Sequence, residues 1–300
     1  MAVLAIVGPT ASGKSDAALA LARRRNADGR PTEVVAVDAF TVYRGMDVGT
    51  AKPSPAVREQ VAHHLIDVLE PHEELTVATF RQLARRVIDD VHARGATPLL
   101  VGGSGLYFRA VVDPLTFPPT DPGVRARLER RWEQDPSGAH AVLERQDPVA
   151  AGRIDPRNLR RTIRALEVIE LTGDTFSGFD DGFDRHTSIY PDLKVAYLEP
   201  DGATLRTRIH DRADRMVEAG LLEEARRLQA AGPLSRTAAQ AIGYAEAFAV
   251  LAGELDVTAL ADAVARRTWR YAKRQRSWFR ADPRCVAEAA DGVVARLAVV

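Results

Sequence analysis

The segment 8–15 constrains the fold of this 300-residue chain more than any other part of its sequence. It reads Gly-Pro-Thr-Ala-Ser-Gly-Lys-Ser and fits the pattern G-x-x-x-x-G-K-[ST]. The apolar run 2–7 before it predicts a buried strand, and residues 14–25 after it predict a helix. A glycine-rich turn in this context directs backbone N–H groups at an anion, at the positive end of the helix. The sequence therefore predicts a polyphosphate site at the edge of a sheet.

The residue types within this turn indicate how an anion would be held. Lys14 supplies a positive charge for a terminal phosphate, and the hydroxyl of Ser15 is a ligand for Mg²⁺. A diphosphate ester fits such a turn as well as ATP does, so the motif predicts a polyphosphate ligand without naming it. The residues predicted to bind this ligand are Gly8, Thr10, Ala11, Ser12, Gly13, Lys14 and Ser15.

Short apolar runs elsewhere predict the rest of the sheet. Residues 33–38, 98–101 and 194–198 predict strands, and residues 77–94 predict a long amphipathic helix. Strands that alternate with helices are joined by crossover connections, which produce a parallel sheet. We therefore expect an α/β fold with a parallel sheet core like that of P-loop NTPases.

The middle of the chain has a different character. Prolines, polar residues and helical patterns dominate residues 113–191, where 122–132 and 158–171 are the best helix candidates. The segment 176–190 has no period and is predicted to be a loop, whereas the chain from residue 203 onwards is predicted to be helical. The expected domains are a catalytic core of residues 1–115 and 192–300, with a helical C-terminal region, and a helical insertion domain of residues 116–191.

Two further candidate residues follow predicted strands. Asp38 ends the strand 33–38, and Ser104 lies in the glycine-rich turn 102–107. The carboxyl ends of parallel strands line a ligand crevice, so both side chains are expected near the phosphate site. Asp38 would hold Mg²⁺ through water, take a proton from a nucleophile, or only cap a turn. Ser104 would donate to the same anion, unless the turn merely requires glycine.

The adjacent histidines His63 and His64 are the only paired candidates for metal ligation. Neighbouring residues of a strand point to opposite sides, so the two imidazoles do not easily bind one ion. A structural role or a contact with substrate is the favoured interpretation.

Composition limits the class of protein. Lysine plus arginine and aspartate plus glutamate both number 41, and this formal net charge of zero argues weakly against a nucleic-acid-binding protein. The single Cys285 excludes a disulfide framework and a cysteine zinc site. No apolar run reaches roughly 18 residues, and residues 1–7 read as a strand rather than a signal peptide. We expect a soluble, cytoplasmic monomer with no membrane association.

The positive charge is concentrated in two segments. Residues 153–164 are basic and partly helical, and residues 266–284 contain Asp282 as their only acid. A solvated helix normally mixes charges of both signs, so these segments indicate contacts with phosphates. The aromatic residues of the second segment would stack on bases or pack in the core, and helical aromatics favour the core: Trp269, Tyr271, Trp278 and Phe279.

Together these motifs resemble those of one family, the tRNA dimethylallyltransferases, also called tRNA isopentenyltransferases. The resemblance covers nearly the whole chain in order, and the 43–53 and 240–244 stretches are its most specific parts. The matching stretches are 8–15 (GPTASGKS), 43–53 (YRGMDVGTAKP), 63–67 (HHLID), 98–107 (PLLVGGSGLY), 164–168 (RALEV) with Thr172-Gly173, 240–244 (QAIGY) and 272–280 (AKRQRSWFR).

The resemblance implies transfer of a dimethylallyl group from dimethylallyl diphosphate to N6 of the adenosine 3′-adjacent to a tRNA anticodon. In the family pattern Asp38 is the general base, and Arg212 binds the diphosphate together with the 8–15 turn and Mg²⁺. Ser104 stands where the family usually has Thr, so the hydroxyl is kept. The tRNA contacts that the resemblance implies are Tyr43, Arg161, Gln240, Gly243, Tyr244, Lys273, Arg274 and Gln275.

The chain departs from the family pattern beside Asp38. The family usually reads Asp-Ser-x-Gln, and this chain reads Asp-Ala-Phe-Thr at 38–41, which removes a hydroxyl and an amide near the acceptor. The same core would serve a P-loop small-molecule kinase, although a small kinase does not need the C-terminal third. An enzyme that prenylates free adenine nucleotides is a close relative, against which the basic aromatic segment counts. A catalytically impaired, nucleotide-dependent RNA-binding regulator is the non-enzyme alternative, disfavoured by the retained Asp38, Lys14 and Ser104.

Overall fold

The computed structural model of this chain, which describes residues 2–179, 182–183 and 185–300, contains a six-stranded parallel sheet. The strands lie in the order β3-β2-β4-β1-β5-β6, and every neighbouring pair is parallel. The predicted α/β fold with a parallel sheet is confirmed. The strands are β1 (Val3–Val7), β2 (Thr32–Val37), β3 (His63–His64), β4 (Thr97–Gly102), β5 (Leu193–Leu198) and β6 (Ala287–Glu288).

Both faces of this sheet are covered by helices. Every residue of β1 is buried, with Val3 and Ala5 in the core on one face and Leu4 and Ile6 in the core on the other. Successive side chains of a strand point to opposite faces, so a strand covered on both sides must be apolar at every position. This explains why the strands appear in the sequence as continuous apolar runs.

Four helices precede the middle segment of the chain. The helix after β1 packs Leu21 and Ala22 against one face of the sheet, and the helix between β3 and β4 packs Phe80 and Ile88 against the other. The two crossover connections thus cover opposite faces. The four helices are α1 (Lys14–Ala27), α2 (Pro55–Gln60), α3 (Val77–Ala93) and α4 (Gly105–Val112).

The residues Pro114–Thr187 form a compact unit with its own core, and Met1–Asp113 with Ser188–Val300 form another. The α-helices of the unit Pro114–Thr187, among the described residues, are α5 (Pro122–Trp132), α6 (Pro136–Gln146), α7 (Pro148–Arg153) and α8 (Leu159–Thr172). The sequence predicted only the first and last of these. In α5, α6 and α7 an aspartate caps the first turn and a proline follows it, so these prolines start helices and do not interrupt them. A 3₁₀ helix spans Phe176–Phe179 in the predicted loop, while Asp180, Asp181 and Asp184 lie outside the described residues.

In the unit formed by Met1–Asp113 and Ser188–Val300, the C-terminal region is mainly helical, as predicted, except that β6 adds a short strand beside β5. A 3₁₀ turn at Val257–Ala259 precedes the longest helix. Across the described residues no helix is long and apolar enough to cross a membrane. The helices are α9 (Gly202–Glu218), α10 (Leu221–Ala231), α11 (Arg236–Ala239), α12 (Tyr244–Leu251), α13 (Leu260–Ala281) and α14 (Ala290–Ala298).

Candidate active site

Three strand ends meet at one edge of the sheet. Val7 of β1 and Val37 of β2 both pair with Gly102 of β4, because β4 lies between the other two strands. Asp38 therefore leaves the sheet close to the turn that starts at Gly8. The common edge expected from parallel strands is present in the structure.

The turn after β1 has the backbone shape of an anion cradle. Ala11 (φ 63°) and Gly13 (φ 90°) adopt left-handed conformations. Gly13 is the N-cap residue of α1, and it makes no side-chain hydrogen bond to the first turn of the helix. The first N–H groups of the helix are therefore left for an anion. Gly8 is required for space, because a Cβ there would lie 2.4 Å from the carbonyl oxygen of Leu198. The buried hydroxyl of Ser12 has no hydrogen-bond partner among the described residues.

Gln275 of α13 connects this cradle to the turn after β4. Its Oε1 accepts a hydrogen bond from the backbone N–H of Thr10 (2.9 Å), and its Nε2 donates to the carbonyl of Gly103 (2.7 Å). A Cβ on Gly103 would lie 2.4 Å from that Nε2, so the close approach requires glycine. Gln275 is 4% exposed. Gln275 thus links two turns and also lines the cavity beside them, and its contact with tRNA stays a prediction.

Two cations lie at the cradle. Lys14 and Arg212 both line a cavity beside the turn after β1. The Lys14 Nζ donates to the carbonyl of Pro9 (2.9 Å). Burial and the charge of Arg212, opposed by Asp38, lower the pKa of Lys14 to about 8. Burial also lowers the pKa of Arg212. For both cations burial outweighs the attraction of Asp38, so the site favours a polyanionic ligand that would stabilise the positive charges.

We expect inorganic diphosphate to draw a proton into the protein when it binds at pH 9. The amine of Lys14 is mainly neutral above its pKa of about 8, and a bound anion raises that pKa again. At pH 7 the amine already carries its proton, so the uptake disappears. Calorimetry in buffers of different ionisation enthalpy measures it, and Lys14→Met is the control in which the ligand's own titration remains. Equal proton uptake in both proteins would contradict the assignment.

Asp38 has one oxygen in a turn and one without a partner. Its Oδ1 accepts hydrogen bonds from the backbone N–H groups of Phe40 (2.8 Å) and Thr41 (3.2 Å). Within the described residues its Oδ2 makes no hydrogen bond, and Asp38 lines the cavity. The capping role and a chemical role are therefore compatible, since each uses a different oxygen.

Ser104 interacts with Tyr271, a residue of the cavity wall. Ser104 does not line the cavity, and its hydroxyl shares a hydrogen bond with Tyr271, which does. Burial raises the pKa of Tyr271, and the nearby charge of Asp38 adds to that rise. The phenol thus stays protonated. The expected contact between Ser104 and the anion stays a prediction.

These residues surround a cavity of about 370 Å³ with polar and apolar sides. Such a lining suits a molecule with a charged head and a hydrocarbon body. The polar lining includes Thr10, Lys14, Ser15, Asp38 and Arg212. The apolar lining includes Leu19, Val57, Ile66, Ile209, Met216, Ile242 and Val264.

A buried lysine organises the 43–53 stretch. The side chain of Lys52 is 2% exposed, and its Nζ donates to Asp47 (2.7 Å), Asp67 (2.6 Å) and the carbonyl of Tyr43 (2.5 Å). This holds the preceding residues 49–51 along the cavity. Tyr43 has no exposed surface. Tyr43 packs in the hydrophobic core, and its expected contact with tRNA stays a prediction.

The 240–244 stretch packs against the 43–53 stretch. Ala241 and Ile242 line the cavity, and the ring of Tyr244 lies so close to Gly49 that a Cβ there would approach it to 2.4 Å. Tyr244 is fully buried and Gly243 is buried too. Both residues pack inside the protein beside one side of the cavity, and their expected contacts with tRNA stay predictions.

Helix α13 has two different faces. Thr268, Tyr271 and Gln275 follow one face and line the cavity. Several arginines elsewhere in the basic segment are paired: Arg267 with Glu246, Arg276 and Arg280 with Glu199, and Arg284 with Asp113. Within the basic segment 266–284, the described residues include no acidic partner for Arg266, Arg270, Lys273 or Arg274. Only this part of the basic segment remains for phosphates.

The aromatic residues of α13 divide between core and surface. Phe279 is 1% exposed, as favoured from the sequence, whereas Trp278 is 40% exposed. Trp269 is partly buried and lies beside the guanidinium of Arg206. Core packing therefore accounts for only part of this cluster, because α13 lies at the surface along one side.

The remaining predicted tRNA contacts are exposed. Gln240, Lys273 and Arg274 are exposed in the unit that contains the sheet, and Arg161 is exposed in the first turn of α8. Each is accessible to a large polyanion, although the carbonyl of Gln240 already accepts from Arg267.

The two histidines have separate roles. The Nε2 of His64 lies 2.6 Å from Glu33, which makes it structural. His63 lines the cavity, where its Nδ1 donates to the carbonyl of Val61 (2.7 Å) and burial lowers its pKa. Among the described residues no group of three or more histidine, cysteine, aspartate or glutamate side chains is arranged to hold a metal.

Sequence reasoning missed Glu224, a carboxylate that is 3% exposed. It contacts the backbone of residues 47–49 and the hydroxyl of Tyr244. Its position on α10 between the buried Leu221 and Leu228 is the one available signal, because a charge on the apolar face of a helix requires a partner.

The fold and the site define a P-loop-like α/β protein in which a glycine-rich turn after the first strand and a carboxylate after the second line one cavity. The family described as IPP transferase matches residues 41–282. The tRNA dimethylallyltransferase of Thermobifida fusca (strain YX) is 50% identical over 284 residues, which are 94% of this chain and 88% of that protein. The chain belongs to the IPP transferase family.

Solved structures agree with this membership. The tRNA isopentenylpyrophosphate transferase of Bacillus halodurans is 38% identical with a TM-score of 0.71, covering 99% of this chain and 94% of that one. A eukaryotic dimethylallyltransferase described as acting on tRNA is 26% identical with a TM-score of 0.77, covering 95% of this chain and 73% of that one. The similarity extends over both the sheet and the helical regions.

Proposed function

We propose that this protein acts as a tRNA dimethylallyltransferase, which moves a dimethylallyl group from dimethylallyl diphosphate to N6 of the adenosine 3′-adjacent to the anticodon. Family membership and the named relatives support the reaction class. The observation that carries the proposal is the cavity in which the anion cradle, Asp38 and apolar walls come together.

The donor's diphosphate would occupy the cradle. During transfer the C1–O bond of the donor breaks, and negative charge develops on the departing diphosphate. The N–H groups of α1, Lys14 and Arg212 are already fixed around that position. Preorganised donors stabilise the developing charge more in the transition state than in the ground state, which lowers the barrier.

The acceptor needs a base. The exocyclic N6 amine of adenosine is conjugated with the ring, which makes it a weak nucleophile. As its lone pair attacks C1, the nitrogen loses a proton, which the unpartnered oxygen of Asp38 would receive. The products are the N6-prenylated base, diphosphate and one proton. The target base must leave its stack to reach a buried prenyl group.

The donor set at the cradle fits Mg²⁺. The hydroxyl of Ser15 and the carboxylate of Asp38 line the same cavity, and both offer the oxygen atoms that Mg²⁺ prefers. A site with few protein ligands is usual for this ion, because substrate phosphates and water complete its shell. We propose that Ser15 holds the ion together with diphosphate oxygens. When bound, it would neutralise part of the diphosphate charge.

The exposed face of α13 would contact the tRNA backbone. Arg266, Arg270, Lys273 and Arg274 have no acidic partner among the described residues, so their charges are available for phosphates. Arg161 on α8 is a further proposed contact. An enzyme with these substrates would act in the cytoplasm, and we propose that it does so as a monomer.

The salt dependence of tRNA binding tests this face. Replacing Arg270 and Lys273 with Gln removes two free cations, so the slope of log affinity against log salt should fall by about 1.5 to 2. Filter binding across a KCl series measures the slope. Arg226→Gln is the matched control, because that exposed arginine already pairs with Glu223. An unchanged slope in the double variant would place the RNA elsewhere.

One labelling experiment separates the candidate functions. The protein is incubated with labelled dimethylallyl diphosphate or with labelled ATP, in the presence of bulk tRNA or AMP. Label from the prenyl donor should appear in tRNA and, after digestion, in N6-substituted adenosine next to the anticodon. Transfer of γ-phosphate to a small acceptor would indicate a kinase. Prenyl label in AMP alone would indicate a nucleotide prenyltransferase, and tRNA binding without any transfer would indicate a regulator.

A further inference from the structure

A buried carboxylate holds the backbone beside the cavity. The Oε2 of Glu224 accepts a hydrogen bond from the N–H of Asp47 (3.0 Å), and its Oε1 accepts from the N–H of Val48 (2.9 Å). The hydroxyl of Tyr244 donates to the same Oε1 (2.5 Å). In the part of the chain that the structure describes, no cation pairs with Glu224. Its charge is therefore stabilised by these N–H and O–H donors.

Tyr244 adds a second attachment to the same backbone. Its hydroxyl accepts from the N–H of Gly49 (3.1 Å) while it donates to Glu224. Burial raises the pKa of Tyr244, and the hydrogen bond to Glu224 raises it further, so the hydroxyl keeps its proton. The N–H groups of three consecutive residues, 47 to 49, thus end on this pair of side chains.

The attached backbone continues directly into the cavity wall. Gly49, Thr50 and Ala51 line the cavity, and Ala51 has a left-handed backbone (φ 48°) that is unusual for a residue other than glycine. Lys52 holds the far end of this wall segment 49–51 through Tyr43, Asp47 and Asp67. Neither Glu224 nor Tyr244 is among the residues that line the cavity.

We infer that Glu224, acting through Tyr244 and the backbone of residues 47–49, is a positioning residue that sets the wall segment 49–51 and thereby the length of prenyl donor that the cavity accepts. The inference rests on the proposed function. The wall segment consists of small residues, so its displacement would change the room that the cavity offers to a hydrocarbon.

The test is the isosteric variant Glu224→Gln. All of the groups that contact Glu224 are donors, and a glutamine offers one acceptor oxygen and an NH₂ that opposes the remaining donors. The KM for dimethylallyl diphosphate and the inhibition constant of geranyl diphosphate, used as a competitor one isoprene unit longer, are measured well below the melting temperature. We expect the preference for the shorter donor to fall by about tenfold, which is the scale of discrimination by pocket shape.

Two further variants keep the result interpretable. Tyr244→Phe keeps the packed ring and removes only the hydroxyl, so it decides the question if Glu224→Gln does not fold. Glu223→Gln is the matched control on the neighbouring position, because Glu223 is exposed and pairs with Arg226. It should keep the wild-type donor preference.

The outcomes separate the inference from the proposed function. If the wild-type protein does not transfer the prenyl group to tRNA, the proposed function fails. If the wild-type protein is active and both variants keep its KM and donor preference, the inference is overturned. A merely structural role would lower the melting temperature and the active fraction, which reduces kcat and leaves the donor preference unchanged, and this result also overturns it.

Discussion

Asp38→Asn should reduce prenyl transfer by about 10² to 10⁴-fold, the usual contribution of a positioned general base. The asparagine keeps an oxygen that accepts from the N–H groups of Phe40 and Thr41, so the turn after β2 is retained. The amide cannot take the N6 proton. Transfer is measured in a single turnover with labelled donor and saturating tRNA.

The control for this variant is Asp211→Asn, which makes the same change at an exposed position of α9. Binding of tRNA to Asp38→Asn should stay within about twofold of the wild-type value, because Asp38 lies in the cavity and outside the basic face. A variant that transfers prenyl at a tenth of the wild-type rate or faster would refute the general-base role. Loss of tRNA binding would refute it as well.

Lys14→Met should lower kcat/KM for dimethylallyl diphosphate by about 10² to 10³-fold, comparable to the loss of one preorganised donor to a developing anion. The effect should divide between kcat and donor KM, because the amine contacts the diphosphate before and during bond cleavage. The KM for tRNA should not change. Steady-state kinetics with each substrate varied in turn give this division.

The stability of Lys14→Met has an expected sign that excludes a structural explanation. Burial lowers the pKa of Lys14, so its charged form destabilises the free protein at pH 7. The melting temperature of the variant should equal or exceed that of the wild-type protein. Lys194→Met, at an exposed position of β5, is the control and should retain full activity. A lowered melting temperature with proportional loss of kcat would contradict the proposed role.

The sequence predicts best what depends on neighbours along the chain. The strand, turn and helix around residues 8–15 follow from an apolar run, glycines and a helical pattern within 25 residues, and the structure reproduces them. The position of Asp38 beside the cradle also follows, because the carboxyl ends of parallel strands share an edge. These features need no knowledge of distant contacts.

The roles of buried polar residues were not predictable in the same way. Gln275 contacts Thr10 across 265 positions of sequence, and Tyr244 meets Gly49 across 195. Motif patterns mark such residues without telling whether they face a ligand or another part of the chain. The basic segment shows the same limit, because Arg276 and Arg284 meet acids that lie far away in sequence.

Helix α13 joins the exposed cations to the cradle through a single rigid element. Gln275 contacts Thr10 from one face, and Lys273 and Arg274 are exposed beside it. A helix advances by about 100° per residue, so one residue inserted before Gln275 would turn its amide away from the cradle and rotate the cations with it. A change of length between Val264 and Gln275 should therefore have a larger effect than any single substitution in this segment. Insertion and deletion scanning of this helix would abolish two activities at once, prenyl transfer and RNA binding.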